Sequence, residues 1–222
     1  MEIIHSDLCG PMQTAFVLGS NYMLTFIDDF TRKVWVYFLK YKSEVFQKFF
    51  HFKALVEKQS WKYIKVLRTD RGGEYISKEF LRFYRENGIH KNFTTRYTPE
   101  QNGVAERKNR TIMEMVRSML KEKHLPIEYW AEAANCAVYI LNRCPTKAVM
   151  NKVPEEAWSG RKQGVTHMRV FGCMGYAHIP DQPRKKLDSK GDKCIFLGYC
   201  EESKGYRLSN PSTKKFVISR DV

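Results

Sequence analysis

The chain has 222 residues, 43% of them hydrophobic, with 38 Lys and Arg against 24 Asp and Glu. That length suffices for a sizeable core in one or two domains. With no long apolar run and no signal-peptide start in this sequence, neither a membrane-bound nor a secreted protein is expected. A formal charge of +14 favours a polyanionic partner, because each neutralised phosphate releases condensed counterions.

In chain order, Ile3 to Asp7 reads as a short strand ending at the turn Cys9-Gly10-Pro11. Tyr22 to Asp29 and Lys33 to Leu39 are rich in aromatic and β-branched residues and form a hairpin through Phe30, Thr31 and Arg32. Ser43 to Lys58 carries Val45, Phe46, Phe49, Phe50 and Phe52 at roughly helical spacing. Tyr63 to Leu67 predicts a strand that runs into Asp70-Arg71-Gly72-Gly73. Ser77 to Glu86 predicts a helix stopped by Asn87-Gly88, and Ile89 to Phe93 another strand. Two helical stretches follow, Gly103 to Lys123 and Pro126 to Asn142. This order predicts an α/β fold, a mixed sheet flanked by helices.

After Pro145 the pattern changes. Asn151 to Gly164 reads as a connector, and short strands follow at Val170 to Ile179, Cys194 to Tyr199, Gly205 to Leu208 and Phe216 to Ser219. Asp181-Gln182-Pro183 and Asn210-Pro211 break them. The expected division is a core over 1–145, a connector over 146–165 and a small β-rich unit over 166–222, with a barrel as one form it can take. The six cysteines lack the spacing of a zinc site and read as reduced thiols.

Three acids stand where such a fold brings side chains together: Asp7 at the end of the first strand, Asp70 at the end of the fourth, and Glu106 near the start of a long helix. In-line phosphodiester chemistry needs an activated nucleophile and a stabilised leaving oxygen, which two divalent ions about 3.5–4 Å apart supply. Mg²⁺ prefers carboxylate oxygen. Spacing alone is weak, since with 24 acids in 222 residues one falls at any chosen position about one time in nine. Local context adds to it: glycines follow Asp70, and the polar stretch Thr98 to Gly103 precedes Glu106. Thr98 and Gln101 would cap the helix early, Asn102-Gly103 late, and the sequence leaves both open.

At 100° per residue, Val104, Ile112, Met113, Met115, Val116, Met119 and Leu120 fall on one side of this helix. Glu106 lies at its border, with Arg110 and Arg117 on the polar flank, so the acid would hold metal while the arginines hold phosphate. Ordinary charge pairing explains Glu106 and Arg110 taken alone. Lys108 falls in the apolar arc. Turn chemistry accounts for Asp28 and Asp29, and a structural role accounts for His5 better than catalysis does. The clusters Arg184-Lys185-Lys186 and Lys214-Lys215 read first as solvated loop charge and then as backbone contacts for DNA.

The blocks His5 to Pro11, Asp28 to Arg32, Arg68 to Tyr75 and Gln101 to Arg107 resemble the integrase of copia-type LTR retrotransposons, with 35 residues between Asp70 and Glu106. The likeness continues through Asn142 to Thr146, Arg169 to Cys173, Cys194 to Tyr199 and Ser219 to Val222. It implies an RNase H-like core with a five-stranded mixed sheet, followed by a β-rich unit of SH3-like kind. It implies that Asp7, Asp70 and Glu106 are catalytic and hold two Mg²⁺ or Mn²⁺ ions, joining cDNA 3′ ends to target DNA. Gln101, Asn102, Arg107, Arg110 and Arg117 are the candidate DNA contacts. The expected partners are DNA, further copies of the chain and other products of the Pol polyprotein. The expected locations are a cytoplasmic virus-like particle and then the nucleus. The family's upstream His and Cys zinc-binding region is not in this sequence, so the chain reads as a fragment. Glu100 stands where the family more often has Gln. The alternative is a degenerate or domesticated copy that binds nucleic acid or protein without catalysis. A stand-alone nuclease or bacterial-type transposase fits the C-terminal blocks less well.

Overall fold

The structure, a computed structural model, describes residues 2–93, 102–178, 191–200, 202–213 and 215–220. Gln101, the Thr98 to Gln101 capping box, Asp181 to Pro183, Arg184 to Lys186 and Lys214 lie outside the described residues.

The first sheet has five strands in the order β3-β2-β1-β4-β5. These are β1 (Ile3–Cys9), β2 (Tyr22–Asp28), β3 (Val34–Leu39), β4 (Val66–Thr69) and β5 (His90–Phe93). β1, β2 and β3 pair antiparallel, while β4 runs parallel to both β1 and β5. The parallel pairings need crossovers, supplied by α1 (Val45–Ser60) and α2 (Lys78–Glu86). Both cover one face of the sheet, where Ile4, Leu24, Phe26, Phe49, Phe52 and Phe80 form one apolar cluster. Phe26 and Phe52 stack there with centroids 4.3 Å apart. α3 (Gly103–Glu122) and α4 (Trp130–Arg143) cover the other face, over Met23, Ile27 and Val34. With both faces buried, β2 loses the polar alternation of a half-exposed strand.

β4 begins at Val66, later than the hydrophobic run predicts. The backbone before it is bonded elsewhere: Ile64 N–H donates to Glu57 Oε1 at 2.9 Å, and Lys65 N–H to the Glu2 carbonyl at 2.9 Å. The connector holds a short helix, α5 (Pro154–Ser159), started by proline in its first turn and closed by Gly160 at φ +71°. Lys33 Nζ lies 2.8 Å from Glu155 Oε1 in a largely buried contact that ties α5 to the hairpin.

The second sheet is antiparallel, in the order β6 (Met174–His178), β7 (Gly191–Cys200), β8 (Gly205–Ser209) and β9 (Phe216–Ser219). Its small core is Ala177, Cys194, Phe196 and Leu208. A bulge between Phe196 and Gly198 breaks the β7–β8 register, and Leu197 packs into the α3/α4 cluster instead. Arg207 Nε donates to the buried Glu132 carboxylate on α4 at 2.8 Å, and the Tyr139 and Tyr199 rings stack at 4.0 Å. The second sheet is thus seated on α4. Among the described residues, no helix is long and apolar enough to cross a membrane.

Candidate active site

Along β1, Ile4 and Leu8 pack toward α1 and α2, while Cys9 packs toward α3 and α4. Strand alternation puts Asp7 on the α3 side with Cys9. Asp7 is partly buried, and Asn109 on α3 donates its Nδ2 to Asp7 Oδ2 at 2.8 Å. Asn109 in turn accepts from Thr25 Oγ1 at 2.9 Å, on the strand paired with Asp7. The carboxylate is therefore held by a chain of hydrogen bonds that fixes its direction.

Asp70 follows the last residue of β4, so the parallel β1–β4 pairing carries it to the same end of the sheet as Asp7. Its Oδ1 accepts from Gly72 N–H at 3.1 Å. The turn is pinned from below by Tyr75, fully buried, whose hydroxyl lies 2.8 Å from Ser6 Oγ beside Asp7. A Cβ on Gly72 would stand 2.6 Å from Glu74 Oε1, the tip of a side chain that can turn aside. The space beside Gly72 is taken by the chain's own carboxylate, whereas a Cβ on Gly73 would meet nothing within 4 Å.

Glu106 is exposed in the first turn of α3, and Arg107, Arg110 and Arg117 are exposed on the same helix. The helix starts late, with Asn102 at the N-cap position. Asn102 is fully buried and its side chain makes no capping bond, so an expected DNA contact lies beneath the surface. The buried row is Ala105, Asn109, Ile112, Val116 and Leu120. Lys108 is half-buried, and burial followed by the charge of Arg32 holds its ammonium below the usual lysine range. Asn109 was not among the sequence candidates. Its signal was a polar residue in an otherwise apolar row, three positions after Glu106.

Burial, then the charges of Asp70 and Glu106, push the Asp7 carboxyl up to about 6, against the lowering effect of the Asn109 hydrogen bond. Asp7 thus feels the charge of both other acids. A hard carboxylate raised by burial and by neighbouring negative charge, as Asp7 is, suits a divalent cation in chemistry. The three acids are not closed around one, since no three His, Cys, Asp or Glu among the described residues are grouped to enclose a metal. His5 is fully buried with Nε2 2.8 Å from Asp29 Oδ1, and burial holds it below the usual histidine range. Asp28 Oδ2 accepts from Thr31 N–H and Oγ1 at 2.9 and 2.7 Å, the turn chemistry expected of it. Burial and the Asp7 charge push the Cys9 thiol up, which keeps it protonated.

Residues 2–99 match the family model "Integrase core domain", and residues 173–222 match "Retroviral polymerase SH3-like domain". The whole chain is 47% identical to the "Retrovirus-related Pol polyprotein from transposon TNT 1-94" of Nicotiana tabacum, and 35% identical to that from transposon RE1 of Arabidopsis thaliana. The chain belongs to the integrases of copia-type retrotransposons. It spans 17% and 15% of the length of those two polyproteins. The integrase core match takes in Asp7 and Asp70 and ends before Glu106. Two solved structures share the integrase fold. The HTLV-2 integrase catalytic core domain in complex with magnesium is 21% identical with a TM-score of 0.53, covering 71% of this chain and 95% of that one. A chain of the simian T-cell lymphotropic virus intasome is 16% identical with a TM-score of 0.57, covering 100% of this chain and 78% of that one.

Proposed function

We propose that this integrase region is the catalytic core, with its SH3-like unit, of a polynucleotidyl transferase that joins cDNA 3′ ends to target DNA. The change from a mixed sheet to an antiparallel one supports the proposed division into 1–145, 146–165 and 166–222. The observation that carries the reading is the desolvated Asp7 carboxyl facing two further carboxylates at one end of the sheet. Asp7 and Asp70 would hold one Mg²⁺ or Mn²⁺, and Asp7 and Glu106 a second. When bound, the ions make the attacking oxygen nucleophilic and offset charge on the leaving oxygen. The magnesium named with the HTLV-2 core supports that choice.

The remaining work falls to the chain itself. Asn109 and Thr25 hold Asp7 in one orientation, and Gly72 N–H with the Tyr75 anchor holds Asp70. Arg107, Arg110 and Arg117, exposed on the helix that carries Glu106, bind DNA phosphates, with Gln101 as a further contact. Assembly as a multimer on DNA is supported by the intasome among the structural neighbours, and association with other Pol products by the polyprotein relatives. Action in the nucleus after a cytoplasmic virus-like particle follows from the same reading.

The test is strand transfer with matched DNA ends in Mg²⁺ or Mn²⁺. Joining is expected from the chain carrying its upstream region, and none from Asp70→Asn or Glu106→Gln. Full activity of Asp70→Asn would sink the metal assignment. Salt-sensitive binding without any metal-dependent joining would select the binding-only alternative.

A further inference from the structure

A groove of about 570 Å³ lies at the end of β1 remote from Asp7, between the start of that strand, the β2–β3 turn and the segment joining α1 to β4. Phe30 and Tyr63 line it, 79% and 76% exposed, and Trp61 stands two residues before Tyr63 at 91%. None of the three catalytic candidates lines it.

Three large rings held in water forgo the stabilisation that burial would give them. Trp61 carries a second cost. It ends α1 in the left-handed region at φ +55°, where Gly or Asn is the usual residue. The other tryptophans, Trp35, Trp130 and Trp158, are buried or half-buried. An aromatic patch kept where neither burial nor backbone favours it points to a ligand.

The charge around the rings selects the kind of ligand. Glu2 is held by Lys65 at 2.6 Å, and Asp29 by His5 at 2.8 Å and Arg32 at 3.2 Å. Lys62, exposed between Trp61 and Tyr63, has no ion pair among the described residues. Lys58, in the last turn of α1, adds a further exposed cation. The centres of protein interfaces are rich in aromatic residues but poor in lysine. Rings interleaved with lysines are instead the chemistry that holds unpaired bases, since every base has a π face and every link a phosphate.

We propose that this groove takes unpaired nucleotides of a DNA strand, their bases stacked on Trp61, Tyr63 and Phe30 and a phosphate on Lys62. The bases inside a duplex stack on one another and offer these rings no face. Ile3, at the groove, and Asp7 are four residues apart on one strand, roughly 13 Å, so a single DNA strand can reach from the groove to the acids. The proposal rests on the DNA-joining reading for the identity of the strand, but the groove is separate from the acids.

The experiment is fluorescence anisotropy of the 222-residue chain with a labelled twelve-nucleotide single strand and the matching duplex. Trp61→Ala/Tyr63→Ala is expected to weaken single-strand binding about tenfold or more and to leave duplex binding within about twofold. Its logarithmic salt slope should not change, because no phosphate contact is lost, whereas Lys62→Gln should cut the slope by roughly 0.7. Trp61→Phe/Tyr63→Phe keeps the rings and is expected to stay within about threefold of the wild type. The control Ile127→Ala/Met150→Ala trims exposed apolar side chains elsewhere and should stay within about twofold. Quenching of tryptophan fluorescence by the single strand should disappear in Trp61→Phe. No single-strand binding by the wild type, binding by Trp61→Ala/Tyr63→Ala within twofold of it, or equal losses with single strand and duplex, overturns the site. A dimer in analytical ultracentrifugation that the same variant dissociates, with single-strand binding unchanged, would assign the patch to a second copy of the chain and overturn it too. Strand transfer is followed on the same proteins: its failure with ring-dependent single-strand binding intact refutes the joining function and leaves the groove standing.

Discussion

Asp7→Asn is expected to stabilise the metal-free protein while abolishing its response to metal. Folding raises the Asp7 carboxyl from 3.8 to about 6, so the folded state holds that proton more tightly than the unfolded chain. A group raised in this way stabilises at low pH, and its contribution is lost as pH rises from about 4 through about 6. The difference of about 2.2 units corresponds to roughly 3 kcal/mol at neutral pH as an upper bound. Residual solvent at Asp7 reduces this to about 1–2 kcal/mol. For a chain of this size that is a gain of about 2–8 °C in melting temperature. Asn keeps a carbonyl oxygen to accept from Asn109, so the hydrogen bond survives. Thermal melts in EDTA at pH 4, 6 and 7.5 check it: the variant should match the wild type at pH 4 and exceed it at pH 7.5. Added Mn²⁺ at pH 7.5 should raise the wild type alone. A variant less stable than the wild type at pH 7.5 in EDTA would refute the reasoning.

Asn109→Ala removes the donor to Asp7 and the acceptor for the buried Thr25 hydroxyl, and should cost about 1–3 kcal/mol in urea unfolding. Strand transfer should fall further than folding does, because Asp7 loses its orientation; unchanged joining would remove Asn109 from the site. Lys33→Met strands the buried Glu155 carboxylate and should cost about 3–5 kcal/mol, while Lys33→Met/Glu155→Leu should recover most of it. Equal melting temperatures for the single and double variants would contradict that. His5, held below 6.5 by burial, contributes stability above that pH that is lost as pH falls through its folded pKa. An NMR titration of its imidazole should give a midpoint below 6.5, and one above 6.5 would contradict the burial argument.

Much of this fold was legible because its signals are local. The aromatic run in α1, the alternating apolar strands and the Asn87-Gly88 stop each report their own element. Asp70 could be placed at a strand end because a strand followed by glycine has to turn there, whereas β1 runs two residues past Asp7, to Cys9, because its ladder with β2 continues. What escaped depends on partners far away in sequence. Asn109 reads as one more polar residue until Thr25 and Asp7 are set against it. Asn102 looks like a loop residue open to DNA, yet the packing of α3 buries it. Helix α5 was hidden in a connector of turn residues, and its anchor is the distant Lys33. The Leu197 bulge, which seats the second sheet on α4, leaves no pattern that a one-strand reading detects.

The claim that Asp7, Asp70 and Glu106 form one metal site is tested most directly by anomalous scattering from crystals grown in Mn²⁺. The account predicts a peak bridging Asp7 and Asp70, lost in Asp70→Asn, with Glu106 joining a second ion when DNA is present. Saturating Mn²⁺ with no peak at Asp7 and Asp70, or an unchanged peak in Asp70→Asn, would contradict it.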